Sequence, residues 1–217
     1  MGSITRSLAN NITTSGVILP AGITNASVSA VTSFANASGG TLTLLSTQTA
    51  SNSATISFTT GLDSTYDAYE FKFINIAPRT NSASFTVNFS TDSGSNYNVT
   101  KTTTYFVAYH NEADTDTSLA YSTARDLAQS TAFQIISENC GNGADECVGG
   151  SLQLFNPSST TYVKHFISCV STYSPVYINN EYVAGYGNTT SAINAIQFKM
   201  SSGNIDGTIK LYGVKKS

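Results

Sequence analysis

Apolar residues along this chain recur mainly at every second position, the spacing of strands that bury one face. Phe85, Val87 and Phe89 alternate with Ser84, Thr86, Asn88 and Ser90, the cleanest such run. Tyr69, Phe71 and Phe73 share a face opposite Glu70 and Lys72, and the following Ile74 and Ile76 change sides, which predicts a β-bulge. Shorter alternations lie at Ile56/Phe58, Tyr105/Val107/Tyr109, Leu152/Leu154, Ile196/Phe198/Met200 and Ile209/Leu211/Gly213. Between Thr161 and Ser171, Tyr162, Phe166 and Val170 oppose Val163, Ile167 and Cys169. Glycines and Ser-Gly pairs punctuate these runs, at Gly61, Ser93-Gly94, Gly149-Gly150, Gly185/Gly187 and Gly203/Gly207. About eight to ten short strands in series predict an all-β chain folded as an antiparallel, jelly-roll-like β-sandwich.

Two stretches depart from that pattern. Residues 1–41 carry one charge, Arg6, and no Tyr. Ile4, Leu8 and Ile12 fit a short helical stripe that Asn10-Asn11 weakens and Pro20 and Gly22 end. Such a segment buries little by itself and gains order only against another surface. It reads as an extended N-terminal attachment arm over 1–41, ahead of a sandwich domain over 42–217. The second stretch, Asn111 to Ala128, mixes charges with small residues and reads as a long loop with one helical turn.

Composition sharpens the picture. Only 11% of residues are charged, against about 25% in ordinary globular chains. Ser, Thr and Asn fill the gap at roughly a third of the chain. Disordered chains are poor in aromatics and high in net charge. This one holds 12 Tyr and 11 Phe at a net charge of −3, so it can bury a core. A pI of 5.2 without clustered Lys and Arg excludes nucleic acid as a partner. No run approaches the ~20 apolar residues of a membrane span, so no membrane insertion is expected. The opening Met1–Leu8 lacks the apolar core of a secretory signal, and synthesis in the cytosol is the expectation.

Candidate chemistry is sparse. Cys140 and Cys147 bracket a glycine-rich loop that allows either a disulfide or two free thiols. Cys169 reads as a small buried hydrophobe. The histidines, His110 and His165, fall in no hydrolase or metalloprotease motif. Asp114, Asp116, Asp126, Glu138, Asp145 and Glu146 read as loop charges, with no spacing that specifies a paired-carboxylate site. No catalytic residue, metal site or cofactor is expected. Ser90-Thr91-Asp92-Ser93-Gly94-Ser95-Asn96-Tyr97 resembles the Asp-box turn of sialidases and other β-proteins, with Asn96 and Tyr97 in place of its last Thr and Trp. That box shapes a turn and does no chemistry. Asp92 and Asn96 supply too few oxygens to specify Ca²⁺.

The best binding candidates lie between Tyr173 and Tyr186: Tyr173, Tyr177, Asn179, Asn180, Tyr182 and Tyr186. Tyrosine joins a broad apolar face to a hydroxyl, and the amides, with Glu181, offer hydrogen bonds to sugar hydroxyls. The competing reading packs these rings against the sheet or a neighbouring subunit. Complete absence of Trp weakens a sugar-stacking platform.

Ile4-Thr5-Arg6-Ser7-Leu8-Ala9-Asn10-Asn11, the Ser90–Tyr97 run and the closing Gly207-Thr208-Ile209-Lys210-Leu211-Tyr212-Gly213-Val214 resemble bacteriophage virion proteins, some of them tail-fibre-like, of phages of marine and aquatic bacteria. The resemblance implies a β-sandwich displayed on a virion as a homotrimer and carries over no catalytic residue. The leading expectation is a non-enzymatic fibre or spike subunit held to other virion proteins by the arm and facing host-surface glycan. A capsid decoration or cement protein is the alternative within that class, and a free carbohydrate-binding module the alternative outside it.

Overall fold

The computed structural model describes residues 41–214 and two short strands before them, β1 (Ile12–Thr13) and β2 (Gly16–Val17), which pair antiparallel. Ile12 is therefore in a strand, not a helical stripe. The rest of the expected arm lies outside the described residues. The chain divides into units 1–39 and 40–217.

Within the second unit every regular element is a strand. The first six are β3 (Leu42–Ser53), β4 (Ile56–Phe58), β5 (Ala68–Pro78), β6 (Ala83–Ser90), β7 (Lys101–Asn111) and β8 (Thr117–Tyr121). After them come β9 (Gln134–Cys140), β10 (Val148–Phe155), β11 (Lys164–Ser174), β12 (Tyr177–Gly187), β13 (Ala195–Met200) and β14 (Ile205–Val214). They form an eight-stranded sheet, β3-β14-β5-β10-β11-β12-β7-β8, and a four-stranded one, β4-β13-β6-β9. Every pairing is antiparallel. The two sheets pack as a β-sandwich, as the short strands in series predicted, and the chain repeatedly crosses from one to the other.

Alternation decides what is inside. Tyr69, Phe71 and Phe73 are buried, and Asn75 (φ 51°) adds an extra residue opposite both β10 and β14. That bulge returns Ile76 to the core while Ile74 stays exposed. Phe58, Phe71, Phe73, Phe85 and Phe198 meet edge-on or tilted at centroid distances of 5.1–6.4 Å, with Phe85 and Phe198 stacked. This cluster joins the two sheets.

Three further expectations are corrected. The 111–128 stretch contains no helical turn. It contains β8, because the Asn111 side chain accepts the Thr115 and Asp116 amides and folds the chain back into a hairpin. Twelve strands build the sandwich in place of the eight to ten expected, since β3, β8 and β9 carry weak alternation. Cys169 sits half-buried on the outer face of the large sheet, opposite in register to Tyr182, not in the core. Of the two possibilities left open for Cys140 and Cys147, the structure has the free thiols, and all three cysteines are free. The 141–147 loop is held instead by the Glu146 carboxylate, which accepts the Gly143 amide at 2.5 Å and occupies the space a Cβ on Gly141 would need. Burial pushes the Cys140 thiol up to about 11.

Candidate functional site

The Asp-box-like segment is the connection from β6 to β7, and its role is structural. The Ser90 hydroxyl donates to Asp92 at 2.6 Å, and Asn96 donates to it through its backbone and its side-chain amide, at 2.9 and 2.7 Å. These hydrogen bonds favour the ionised form and hold the Asp92 carboxyl down at about 2. Both carboxylate oxygens are thereby occupied in shaping the turn.

The Tyr173–Tyr186 segment is a hairpin, with β11 ending at Ser174, Pro175-Val176 turning, and β12 beginning at Tyr177. Strand alternation splits the six candidate residues. Tyr173, Asn180, Tyr182 and Tyr186 point to the outer face of the large sheet, whereas Tyr177 and Asn179 point to the inner side. Tyr182 stacks on Phe106 of β7 at 5.0 Å, and Tyr186 lies 6.1 Å from His165. Tyr186 lines one open outer groove of ≈ 450 Å³ and Tyr173 another of ≈ 180 Å³. The segment is one hairpin but not one site.

Tyr177 and Asn179 do belong to a concave site. The small sheet ends at β9, so the inner face of β7 and β12 beyond it is uncovered. There Val107, Tyr109, Asp116, Glu138, Asn139, Ser174, Tyr177 and Asn179 enclose an open groove of ≈ 360 Å³. Tyr109 and Tyr177 meet edge-to-face at 5.7 Å, and the Tyr177 hydroxyl donates to Asp116 at 3.1 Å. That bond and the negative charge of Asp116 push the Tyr177 phenol up. Glu138 is paired with Arg125. The groove thus offers aromatic edges, two amides, a hydroxyl and two carboxylates, a donor–acceptor mixture that matches polyhydroxylated ligands.

Beneath the groove lies Glu181, which is wholly buried rather than facing a sugar. It accepts the Tyr105 hydroxyl at 2.7 Å, the Glu138 amide at 2.8 Å and the Thr172 hydroxyl at 2.9 Å. Ser137 adds a 2.6 Å bond to Thr172. Burial raises the Glu181 carboxyl above its ordinary value despite those bonds. The network ties β9 to β7, β11 and β12, and so sets where Glu138 and Asn139 stand.

Tyr109, Asp116, Glu138 and Asn139 escaped sequence reading because they come from three separate segments. The alternation Tyr105/Val107/Tyr109 was the one available signal for Tyr109. Glu138, taken for a loop charge, is on a strand. Among the described residues no group of three or more His, Cys, Asp or Glu is placed to hold a metal ion. No protein-family model, curated protein or solved structure matches the chain.

Proposed function

We propose that this protein is a non-enzymatic virion structural protein of a bacteriophage, a surface-displayed fibre or spike subunit whose sandwich engages host-surface glycan through the Tyr109/Tyr177 groove. The observation that carries the binding half is the groove itself, in which Tyr177, Asn179, Asn139 and Asp116 converge on one open concavity. A binding role rather than catalysis is favoured because both carboxylates are already engaged, Asp116 by the Tyr177 hydroxyl and Glu138 by Arg125. The virion half rests on the sequence resemblance, and a low-charge Ser/Thr/Asn surface suits it. Such a surface binds by hydrogen bonds that salt screens little, and repeated copies turn weak sugar contacts into avidity.

Glycan-array and calorimetric binding with the full chain tests the groove. Tyr177→Ala and Asn179→Ala should each weaken binding at least about tenfold, equivalent to ~1.4 kcal/mol, with folding retained. Undiminished binding by both variants would remove the groove from the account. Antibody labelling of purified virions tests the placement. Label on the tail or its appendages fits a fibre, label over the head converts the protein to a decoration or cement subunit, and bare particles refute the virion reading.

A further inference from the structure

The connection from β9 to β10 carries the one asparagine of this chain that glycine follows, Asn142-Gly143. Both residues are exposed and lie outside any strand. A glycine in that place leaves its backbone nitrogen open to reaction, because no Cβ shields it. Here the nitrogen also has a base against it. The Gly143 N–H donates to Oε2 of the Glu146 carboxylate at 2.5 Å, and the Glu146 amide donates back to the Gly143 carbonyl at 3.2 Å. Glu146 is itself buried. A Cβ on Gly143 would stand 2.8 Å from the same Oε2, so the close approach of carboxylate to amide depends on glycine. The Asn142 side chain is held by a long bond of 3.4 Å from Nδ2 to the Arg79 carbonyl. Turning its Cγ toward Gly143 forfeits little.

We propose that Asn142 is a self-modifying site, where Glu146 serves as the base that converts the asparagine to aspartyl and isoaspartyl residues. Glu146 takes the Gly143 amide proton as the Gly143 nitrogen attacks Asn142 Cγ. The new N–Cγ bond forms and the Cγ–Nδ2 bond breaks. Nδ2 leaves as ammonia, carrying the proton that Glu146 returns, and a cyclic imide remains. Water then opens the ring at either of its carbonyls, which gives aspartate or its isoaspartyl isomer. A carboxylate fixed at hydrogen-bond distance replaces chance encounter with hydroxide, and that positioning is the source of the acceleration. Either product sets a new negative charge beside Glu146, and the isoaspartyl form adds a methylene to the main chain. The loop directly after β9, the strand that carries Glu138, thereby loosens as the molecule ages.

The test is a time course of the full chain at neutral pH, with the Asn142 products separated by chromatography and identified by peptide mass spectrometry. The folded chain should convert Asn142 several-fold faster than the same chain unfolded in urea, where Glu146 is no longer held against the amide. The folded rate should also climb less steeply with pH than the unfolded one, since its base is not hydroxide. Asn88 is the internal control: it is buried, the amide after it donates to its own Oδ1 at 2.8 Å, and it should stay intact. Glu146→Gln can still accept the Gly143 amide but cannot take its proton, so the folded variant should lose the whole advantage. Slower conversion in the folded chain than in urea overturns the inference. An undiminished folded rate in Glu146→Gln overturns it as well, because the carboxylate then only holds the loop. Neither result bears on sugar binding by the groove.

Discussion

The sandwich holds its sheets together by different means on its two sides. Where β4, β5, β6 and β13 meet, the contact is phenylalanine on phenylalanine, with Phe58, Phe71, Phe73, Phe85 and Phe198 within 6.4 Å of a ring neighbour. Where β7, β9, β11 and β12 meet, much of what is buried is polar: Lys101, Thr103, Gln134, Ser137, Thr172 and Glu181. Among the described residues, no buried side-chain nitrogen or oxygen lacks a hydrogen-bond partner. Thr103 donates to Gln134 at 2.6 Å, and Lys101 donates to Asn88 and to the Val99 carbonyl at 2.5 and 2.7 Å. Apolar packing is non-directional and tolerates small shifts. A buried polar network tolerates none, because each displaced donor forfeits its partner inside a low-dielectric interior. The polar side is therefore the one that can fix β9 at a defined height above β7 and β12, and that height makes the groove.

This contrast can be broken from either side. Phe198→Ala should cost about 3–5 kcal/mol of folding stability, read as a lower denaturant midpoint, since Phe198 touches four other rings. Glycan affinity of the molecules that remain folded should be unchanged. A selective loss of affinity would mean that the apolar side also positions the groove. Glu181→Ala strands the Tyr105 and Thr172 hydroxyls and the Glu138 amide, and should cost about 1–3 kcal/mol. Because Glu138 and Asn139 then lose their anchor, affinity should fall as well, while Glu181→Gln should recover part of both losses. Unchanged affinity in Glu181→Ala would separate the network from the groove.

The smallest effect sharpens the comparison through pH. Burial without a carboxylate partner lowers Lys101 to about 7 from its ordinary 10.5. Between those values the unfolded chain binds the proton and the folded chain does not, so stability rises with pH across that window. The rise should be visible from about pH 7 to 9, before ionisation of Cys140 and Tyr105, both raised by burial, in the unfolded chain opposes it. Lys101→Met should flatten the rise in denaturant midpoints, and an unchanged slope would assign it to other groups.

Much of the fold was legible because alternation is a local property. Phe85/Val87/Phe89, the bulge after Phe73 and the Asp92 turn could each be read from a handful of consecutive residues. The same rule, applied along Tyr173–Tyr186, would have separated Tyr177 and Asn179 from Asn180, Tyr182 and Tyr186, since neighbours in a strand face opposite ways. The two halves of the hairpin instead read as one cluster because aromatic density masked the alternation. Glu138 and Asp116 gave no such signal, because a carboxylate in a polar stretch reads alike on a loop and at the rim of a groove.

What the chain determined by itself is therefore its class: period-two hydrophobicity, turn residues at close intervals and enough aromatic side chains to fill a two-layer core. Which strands became neighbours, and so which side chains share a concavity, was decided only by tertiary structure. Strand partners such as β7 and β12 lie far apart in sequence, and their register follows from which faces must leave water together. The groove and the buried Glu181 beneath it both follow from that pairing and not from any local run of residues.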